Sequence, residues 1–258
     1  MKSFKAVALE GFPLVKAGDD MGKLIVEAAD KNGVALEDGD VVVVAQKVFS
    51  KAEKRVIGLE DVVVSSDKTR ELARKTRKSG KFVELVLRES KRVIKSSHDI
   101  LLVEDRRGLV CINAGIDKSN IEGRRNFALL PENPDASAEE CRARIKKLTG
   151  KNVALIICDT FSRPFRRGQV NFSIGFAGIK PFKDYRGKKD LFGYVLKVKN
   201  VAIVDELAAA AELLMGQGKE ALPVVIFKGL DNQVELCEEC DSNALHISEQ
   251  EDLFRDAL

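Results

Sequence analysis

Unbroken apolar runs alternate along the chain with segments whose apolar residues recur at helical spacing. Two runs, at 41–45 and 153–158, contain no polar residue and predict strands buried on both faces of a sheet. Shorter runs predict further strands at 4–9, 93–103, 109–113, 201–204 and 223–227. The Arg107-Gly108 pair predicts the turn that joins two of these strands.

Helical spacing predicts helices over the segments 19–33, 67–81, 81–90, 137–150 and 205–215. The fourth segment starts with Ser137-Ala-Glu-Glu140, which has the form of a capping box and is expected to begin that helix. Leu148 would lie on its inner face, and Leu214 would lie on the inner face of the last helix. The pattern therefore predicts strands and helices interleaved along the chain.

The buried strand predicted at 153–158 leads directly into polar residues that could carry chemistry. Asp159 and Thr160 offer the hard oxygen donors that Mg²⁺ or Mn²⁺ prefers. Three arginines follow around Pro164: Arg163, Arg166 and Arg167. Guanidinium groups can hold phosphate or carboxylate groups with two hydrogen bonds. A carboxylate that caps the next segment, beside a loop of solvated arginines, would explain the same residues without function.

Two other segments repeat this arrangement of polar residues after a strand. The run 46–53 carries two lysines and several polar groups past the strand at 41–45, although a solvated strand end is the simpler interpretation. In the segment 113–120, Gly115 would permit close approach of the backbone to a ligand, and Asp117 could be a second hard ligand. An Asx-type turn is the structural alternative for Asp117.

Composition narrows the class of protein. A hydrophobic content of 45% in 258 residues predicts a globular chain with a large core. Lys+Arg number 43 and Asp+Glu 40, and this balance argues against a nucleic-acid binder, even with the basic segment 68–81. No apolar run reaches the length of a membrane span, and the N-terminus lacks a signal-peptide pattern, so we expect a cytoplasmic protein.

Cysteine, histidine and glycine patterns exclude several common sites. The five cysteines, at 111, 141, 158, 237 and 240, form no disulfide framework, and Cys237/Cys240 is a single CxxC that favours a structural turn over a metal or redox role. Two histidines argue against a His-rich metal site or a Ser-His-Asp triad. Neither a P-loop nor a dinucleotide-binding glycine motif is present. Residues 231–258 turn acidic and predict a peripheral tail with one short helix.

Six stretches together resemble the coenzyme F420-0:γ-glutamyl ligase family over about residues 7–230. In order they are Gly11–Leu14 with Gly18–Asp20, Gly39–Glu53, Asn113–Asn120, Asp159–Thr160 with Arg163–Pro164, Asp205–Ala208, and Met215–Gly216. That family adds L-glutamate to the deazaflavin coenzyme F420-0 through a γ-linked amide, with GTP and a divalent metal. The resemblance implies an unusual α+β fold of mixed sheets and packed helices, neither P-loop nor Rossmann. It also implies an intertwined homodimer, with a ligase domain over 1–230 that allows for two interleaved lobes.

The resemblance also implies roles for individual residues. Divalent metals, Mg²⁺ or Mn²⁺, would be bound by oxygen donors: Asp117, Asp159, Thr160 and Gln217. An apolar stretch would line the guanine nucleotide site: Phe12, Pro13, Leu14 and Val15. Polar contacts to the nucleotide would come from Gln46, Lys47, Lys51 and Asn120. Catalytic roles would fall to Asp117, Asp159, Lys51 and Arg163. A monovalent cation such as K⁺ is a further candidate cofactor.

The chain departs from the family's pattern at four positions: Lys54, Ser162, Phe165 and Asn171. They flank the expected metal ligands without removing them, so they put the acceptor in question more than the reaction. We expect the acceptor carboxylate to attack the γ-phosphate of GTP and form an acyl phosphate, which the amine of L-glutamate then attacks. Two alternatives remain: a related amide ligase with another acceptor, and a non-catalytic deazaflavin- or nucleotide-binding protein.

Overall fold

Twelve strands and six α-helices make up the computed structural model, which describes residues 3–230, 233–238, 240, 242–248 and 250–252. The expected α+β class with mixed sheets is confirmed. The strands are β1 (Lys5–Ala8), β2 (Val41–Ala45), β3 (Val56–Gly58), β4 (Ser90–Ser97), β5 (Ile100–Asp105), β6 (Val110–Ile112), β7 (Asn126–Ala128), β8 (Ala154–Arg163), β9 (Arg166–Ala177), β10 (Phe182–Asp184), β11 (Asn200–Ala202) and β12 (Val224–Lys228). The helices are α1 (Met21–Lys31), α2 (Gln46–Ala52), α3 (Asp67–Thr76), α4 (Gly80–Arg88), α5 (Pro134–Thr149) and α6 (Ile203–Met215).

The chain divides into two compact units. The first comprises the described residues of Met1–Ala52 and Asn133–Leu245, and the second those of Glu53–Glu132 and His246–Leu258. None of the helices in the described ranges is long and apolar enough to cross a membrane.

The first unit is built on a five-stranded sheet in the order β1-β12-β2-β8-β9. Strands β2 and β8 are parallel, and the other neighbours are antiparallel. Alternate residues of β2 and β8 enter two separate cores, because side chains of a strand alternate between its faces. Helices α1 and α5 contribute to one core, and α6 contributes to the other. The prediction that both strands are buried on both faces is confirmed.

Strand β8 extends five residues beyond the predicted end at Cys158, to Arg163. It forms a hairpin with β9, closed by a turn at Pro164-Phe165 in which Phe165 has a φ of 57°. The alternative interpretation of a loop of arginines is therefore wrong, since Arg163 ends β8 and Arg166 begins β9. Stacking of Phe161 on Phe172, with ring centroids 4.3 Å apart, supports this part of the hairpin.

Two predicted helix starts are wrong by a few residues. Helix α5 begins at Pro134, because Asn133 Oδ1 accepts the backbone N–H of Ala136 at 3.1 Å and forms the N-cap. Ser137 does not cap the helix, and Leu148 is exposed rather than facing inward. Helix α6 begins at Ile203, two residues before the predicted start, and Leu214 is partly exposed rather than on the inner face.

The second unit contains the antiparallel sheet β4-β5-β6, the pair β3–β7, and helices α3 and α4. The predicted strand at 93–103 is two strands, because the chain turns at His98-Asp99. The predicted turn at Arg107-Gly108 is confirmed. It is held by the buried carboxylate of Asp105, which accepts the backbone N–H groups of Arg107 and Leu109, each at 2.9 Å.

Cys237 and Cys240 form a disulfide, so the expectation that no disulfide is present is wrong for this pair. Cys111, Cys141 and Cys158 are buried, as predicted. The segment around the disulfide pairs with the chain just past β9, where Ile179 and Leu236 form a β-bridge. Parts of the predicted acidic tail, at 231–232, 239, 241, 249 and 253–258, lie outside the described residues, and its assignment as a separate region stays a prediction.

Candidate functional site

The carboxyl end of β2 lies at the level of the sheet where its parallel pairing with β8 stops. Ala45 is opposite Cys158 in their register, so Gln46 and Asp159 follow at the same level. Open α/β sheets bind ligands beyond the carboxyl ends of parallel strands. The structure thus brings together two of the segments in which the sequence placed candidate chemistry, 46–53 and 159–160.

Gln46 is a buried glutamine whose amide group is only half satisfied. It begins α2 directly after β2 and is 2% exposed, so the alternative of a solvated strand end is wrong. The hydroxyl of the buried Ser50 donates to Gln46 Oε1 at 2.7 Å. Gln46 Nε2 is buried and has no hydrogen-bond acceptor in the described part of the chain. Such a donor costs about 1–3 kcal/mol, so it marks a position where a ligand acceptor would be stabilised.

The loop after β1 lies against the end of α2. Gly18 donates its backbone N–H to the carbonyl of Ala52 at 2.7 Å. In this loop Phe12 and Val15 are buried in the core beside α1, whereas Leu14 is 84% exposed. The predicted nucleotide stretch is therefore anchored by two apolar side chains and presents Pro13 and Leu14 at the surface. Lys47 and Lys51, on α2, are half-buried.

Thr160 belongs to a hydrogen-bonded group of four residues, here called the Thr160 cluster: Thr160, Asn171, Glu212 and Gln217. The Thr160 hydroxyl donates to Asn171 Oδ1 at 2.6 Å and accepts from Gln217 Nε2 at 2.8 Å. Gln217 Nε2 also donates to Glu212 Oε1, and the backbone N–H of Asn171 donates to Glu212 Oε2 at 2.9 Å. A hydroxyl oxygen has two lone pairs, so one lone pair of Thr160 remains for a further partner.

The carboxylate of Asp159 leaves the sheet on the face opposite to the Thr160 hydroxyl, because successive side chains of a strand alternate. Asp159 is paired across the strands with Phe172, and Thr160 with Asn171. The structure therefore brings Thr160 and Gln217 together, as the expected metal set requires. Among the described residues, no three His, Cys, Asp or Glu side chains gather as a metal-binding group.

Arg163 lies at the tip of the β8–β9 hairpin. It lies four positions after Asp159, which is about 13 Å along a strand at roughly 3.3 Å per residue. Arg163 Nη2 donates to the carbonyl of Arg167 at 3.4 Å, and Arg163 Nε is buried without an acceptor in the described ranges. The arginines thus form a basic hairpin tip some distance from the level at which β2 ends.

Asp117 and Asn120 lie in the second unit, in the segment after β6. The carboxylate of Asp117 accepts the backbone N–H of Ser119 at 2.8 Å and its hydroxyl at 2.6 Å, which is the Asx-type geometry of the alternative interpretation. Gly115 has a φ of 68°, and a Cβ there would lie 2.6 Å from Leu130 Cδ1. Packing against Leu130 and the left-handed backbone therefore explain this glycine without a ligand.

Sequence reasoning assigned no role to three residues of the site: Ser50, Asn171 and Glu212. Ser50 lies in the polar run 46–53 and Asn171 is one of the departures from the family pattern, but only the folded chain shows the contacts of all three. Asp205, near the start of α6, accepts the backbone N–H of Ser173 at 3.0 Å and is more buried than its neighbour Glu206. Burial raises the pKa of the Asp205 carboxyl above its usual value.

Comparison with known proteins gives a consistent result along the chain. Residues 11–229 match the family described as F420-0:Gamma-glutamyl ligase. The Coenzyme F420:L-glutamate ligase of Archaeoglobus fulgidus is 44% identical over 250 residues, which cover 97% of this chain and 96% of that protein. The enzyme of the same name from Methanothermobacter thermautotrophicus is 44% identical over 223 residues, covering 86% and 88%. That of Methanopyrus kandleri is 41% identical over 259 residues, covering 99% and 100%.

These relatives are named as ligases, and the prediction of an enzyme of the ligase class is confirmed. The similarity extends over both units and includes every candidate residue from Phe12 to Gln217. The chain therefore belongs to the F420-0:gamma-glutamyl ligase family.

Proposed function

We propose that this protein joins L-glutamate to coenzyme F420-0 through a γ-linked amide, and that it uses GTP and a divalent cation to do so. The observation that carries the proposal is the 44% identity to a Coenzyme F420:L-glutamate ligase over 97% of the chain. The strand-end site of the first unit supports it, since it combines cationic, amide and oxygen-donor side chains at a position where ligands commonly bind.

An amide does not form from a carboxylate and an amine in neutral water unless the carboxylate first gains a leaving group. In the proposed reaction, a carboxylate oxygen of the acceptor attacks the γ-phosphorus of GTP, and the bond to the β–γ bridging oxygen breaks to release GDP. The amine of L-glutamate then attacks the acyl carbon. The carbon–oxygen bond to phosphate breaks, inorganic phosphate leaves, and the nitrogen loses a proton.

Residues of α2 and the loop before α1 are proposed to bind the nucleotide. Gln46 Nε2, the buried donor without a partner in the described ranges, would meet an acceptor atom of GTP. Lys47 and Lys51 would stabilise negative charge on the phosphates, and the stretch Phe12 to Val15 would line the base through its exposed residues Pro13 and Leu14. Removing one such stabilising donor typically costs about 10²–10³ in rate.

The oxygen donors of β8 would serve two divalent cations, because donors on opposite faces of a strand cannot share one. The remaining lone pair of Thr160 and the carbonyl oxygen of Gln217 would serve one cation, and the carboxylate of Asp159 would serve the other. A bound Mg²⁺ or Mn²⁺ would neutralise phosphate charge and orient the reacting groups. Asp117 lies in the second unit, and its proposed role as a metal ligand rests on the family resemblance alone.

Mass spectrometry of the products tests this function. The protein is incubated with GTP, Mg²⁺, L-glutamate and F420-0, and the product is expected to gain one or more glutamyl residues while GDP is released. Asp159→Ala should lose this activity with its fold intact. Asp30→Ala, an exposed aspartate on α1, is the matched control and should remain active.

The outcomes separate the proposed function from its alternatives. Product from another carboxylic acid, but none from F420-0, would indicate a ligase with a different acceptor. Tight binding of F420-0 and GTP without GDP release would indicate a non-catalytic binding protein. Wild-type turnover by Asp159→Ala would remove Asp159 from the proposed metal ligands.

We also propose that the chain forms a homodimer through the arm 184–200, which links β10 and β11. The arm is ordered by its own hydrogen bonds, such as Leu196 N–H to the carbonyl of Lys188 at 2.9 Å. Its tip nevertheless exposes apolar side chains, with Leu191 and Phe192 each 96% exposed. Burying one such side chain contributes about 1.5–3 kcal/mol, and the implied intertwined dimer supplies a second copy as the partner.

Sedimentation analysis tests the dimer. The wild-type protein is expected to be a dimer, and Phe192→Asp to shift it to the monomer. Phe165→Asp, at the 92% exposed tip of the other hairpin, is the matched control and should leave the dimer intact. A wild-type monomer would contradict the proposal.

A further inference from the structure

The hydrogen bonds of the Thr160 cluster leave one atom of Gln217 unused. Both hydrogens of its amide nitrogen have acceptors, the Thr160 hydroxyl oxygen and Glu212 Oε1. An amide nitrogen has two hydrogens, so its donor capacity is filled within the cluster. Its carbonyl oxygen has no donor among the described residues, and the side chain is exposed. The exposed atom that Gln217 presents is therefore an oxygen.

Glu212 is the residue that fixes this orientation. Its Oε2 accepts the backbone N–H of Asn171, a strand residue whose position is set by pairing in β9. Its Oε1 is then held toward Gln217 and can only accept, because a carboxylate has no hydrogen to donate. A glutamine amide that rotated by half a turn would set its oxygen against that carboxylate. Glu212 therefore selects one of the two amide orientations.

We propose that Glu212 is a positioning residue for divalent cation binding: it holds Gln217 so that the carbonyl oxygen, and not the amide nitrogen, faces the cation beside Thr160. This inference rests on the proposed function, in which Thr160 and Gln217 are metal ligands. Outer residues that orient metal ligands typically change metal affinity by about 10–100-fold when they are mutated. A purely structural role for Glu212, joining α6 to β9, is the alternative.

Glu212→Gln discriminates between these roles. The introduced carboxamide has one acceptor oxygen, which the fixed backbone N–H of Asn171 will take. Its amide nitrogen then faces Gln217, which must rotate to accept and so presents its own nitrogen to the cation. We expect Mn²⁺ affinity, measured from the signal of free Mn²⁺ by electron paramagnetic resonance, to fall about 10–100-fold. Glu140→Gln, an exposed α5 residue with the same charge change, should bind Mn²⁺ as the wild type does.

The double variant Glu212→Gln/Gln217→Glu provides the rescue. The carboxamide at 212 can donate to the carboxylate at 217, whose other oxygen is then directed outward. If the orientation of residue 217 causes the expected ~10–100-fold loss, Mn²⁺ affinity should recover to within about threefold of wild type. If Glu212 only joined α6 to β9, Glu212→Gln would keep the wild-type Mn²⁺ affinity and there would be no loss to rescue.

Three results decide the inference. Unchanged Mn²⁺ affinity in Glu212→Gln, or no recovery in the double variant, would overturn it and leave the proposed reaction untouched. Absence of Mn²⁺ binding by the wild-type protein would instead remove the metal part of the proposed function. Should Glu212→Gln fail to fold, Gln217→Met, at an exposed loop position, must weaken Mn²⁺ binding, and unchanged binding there would overturn the inference.

Discussion

Gln46→Met is expected to make the free protein more stable and to weaken its binding of GTP. Methionine has nearly the shape of glutamine but no amide, so the buried Nε2 without a partner in the described ranges disappears. Ser50 loses its acceptor at Gln46 Oε1, but a serine in a helix can donate to the backbone carbonyl four residues earlier. The opposite signs of the two effects distinguish a binding residue from a packing residue.

The magnitude follows from the two hydrogen-bond terms. Removing the unpaired buried donor relieves about 1–3 kcal/mol, and losing the neutral bond from Ser50 costs about 0.5–1.5 kcal/mol. The net gain is about 1 kcal/mol in the free energy of unfolding, which raises a urea midpoint by about 0.5 M at typical denaturant dependence. GTP should bind about tenfold more weakly, which corresponds to about 1.4 kcal/mol.

Urea unfolding and calorimetric titration with GTP measure both quantities on the same preparation. Ser50→Ala is the control, because it leaves Gln46 Oε1 buried without its donor and should lower the free energy of unfolding by about 1–3 kcal/mol. If Gln46→Met is as destabilised as Ser50→Ala and binds GTP with wild-type affinity, the interpretation of Gln46 as a GTP-binding residue is refuted.

Three further predictions concern stability. Gly175→Ala should lower the free energy of unfolding by about 1–3 kcal/mol in urea, because the new Cβ would lie 2.5 Å from the backbone of Pro134. Lys54→Gly should raise it by about 0.5–1 kcal/mol, since Lys54 has a φ of 60°. Burial raises the pKa of the Asp205 carboxyl above its unfolded value, so this group should add to the free energy of unfolding as the pH falls through the raised pKa, down to about 4. Asp205→Asn should remove this contribution to the slope of the free energy of unfolding against pH. An equal slope in both proteins would contradict the last prediction.

Local signals were sufficient where one physical requirement dominates. The runs 41–45 and 153–158 contain only apolar residues, and such strands are stable only between two covered faces. Helix α1 begins after Asp20, whose side chain accepts the backbone N–H of Lys23 as the cap. The positions of these elements therefore follow from the residues themselves.

Long-range contacts decided the rest. The extension of β8 to Arg163 depends on pairing with β9, which the polar residues after Cys158 do not signal. Helix α5 had two competing caps, and Asn133 with Pro134 prevailed over Ser137. The Thr160 cluster joins residues as far apart as 160 and 217, and no periodic spacing relates them.

The departures from the family pattern have local physical reasons in two cases. Lys54 adopts the left-handed conformation that glycine adopts without strain. Asn171 Oδ1 accepts the Thr160 hydroxyl, and its Nδ2 donates to Cys158 Sγ at 3.5 Å, so both ends of this amide have partners.

The central claim is that GTP activates the acceptor carboxylate by transfer of its γ-phosphoryl group. The most direct measurement is isotope transfer, with F420-0 labelled by ¹⁸O in its carboxylate, unlabelled GTP, Mg²⁺ and L-glutamate. We predict that the inorganic phosphate released with each amide bond carries one ¹⁸O atom from the acceptor. Unlabelled phosphate alongside amide product would contradict the account.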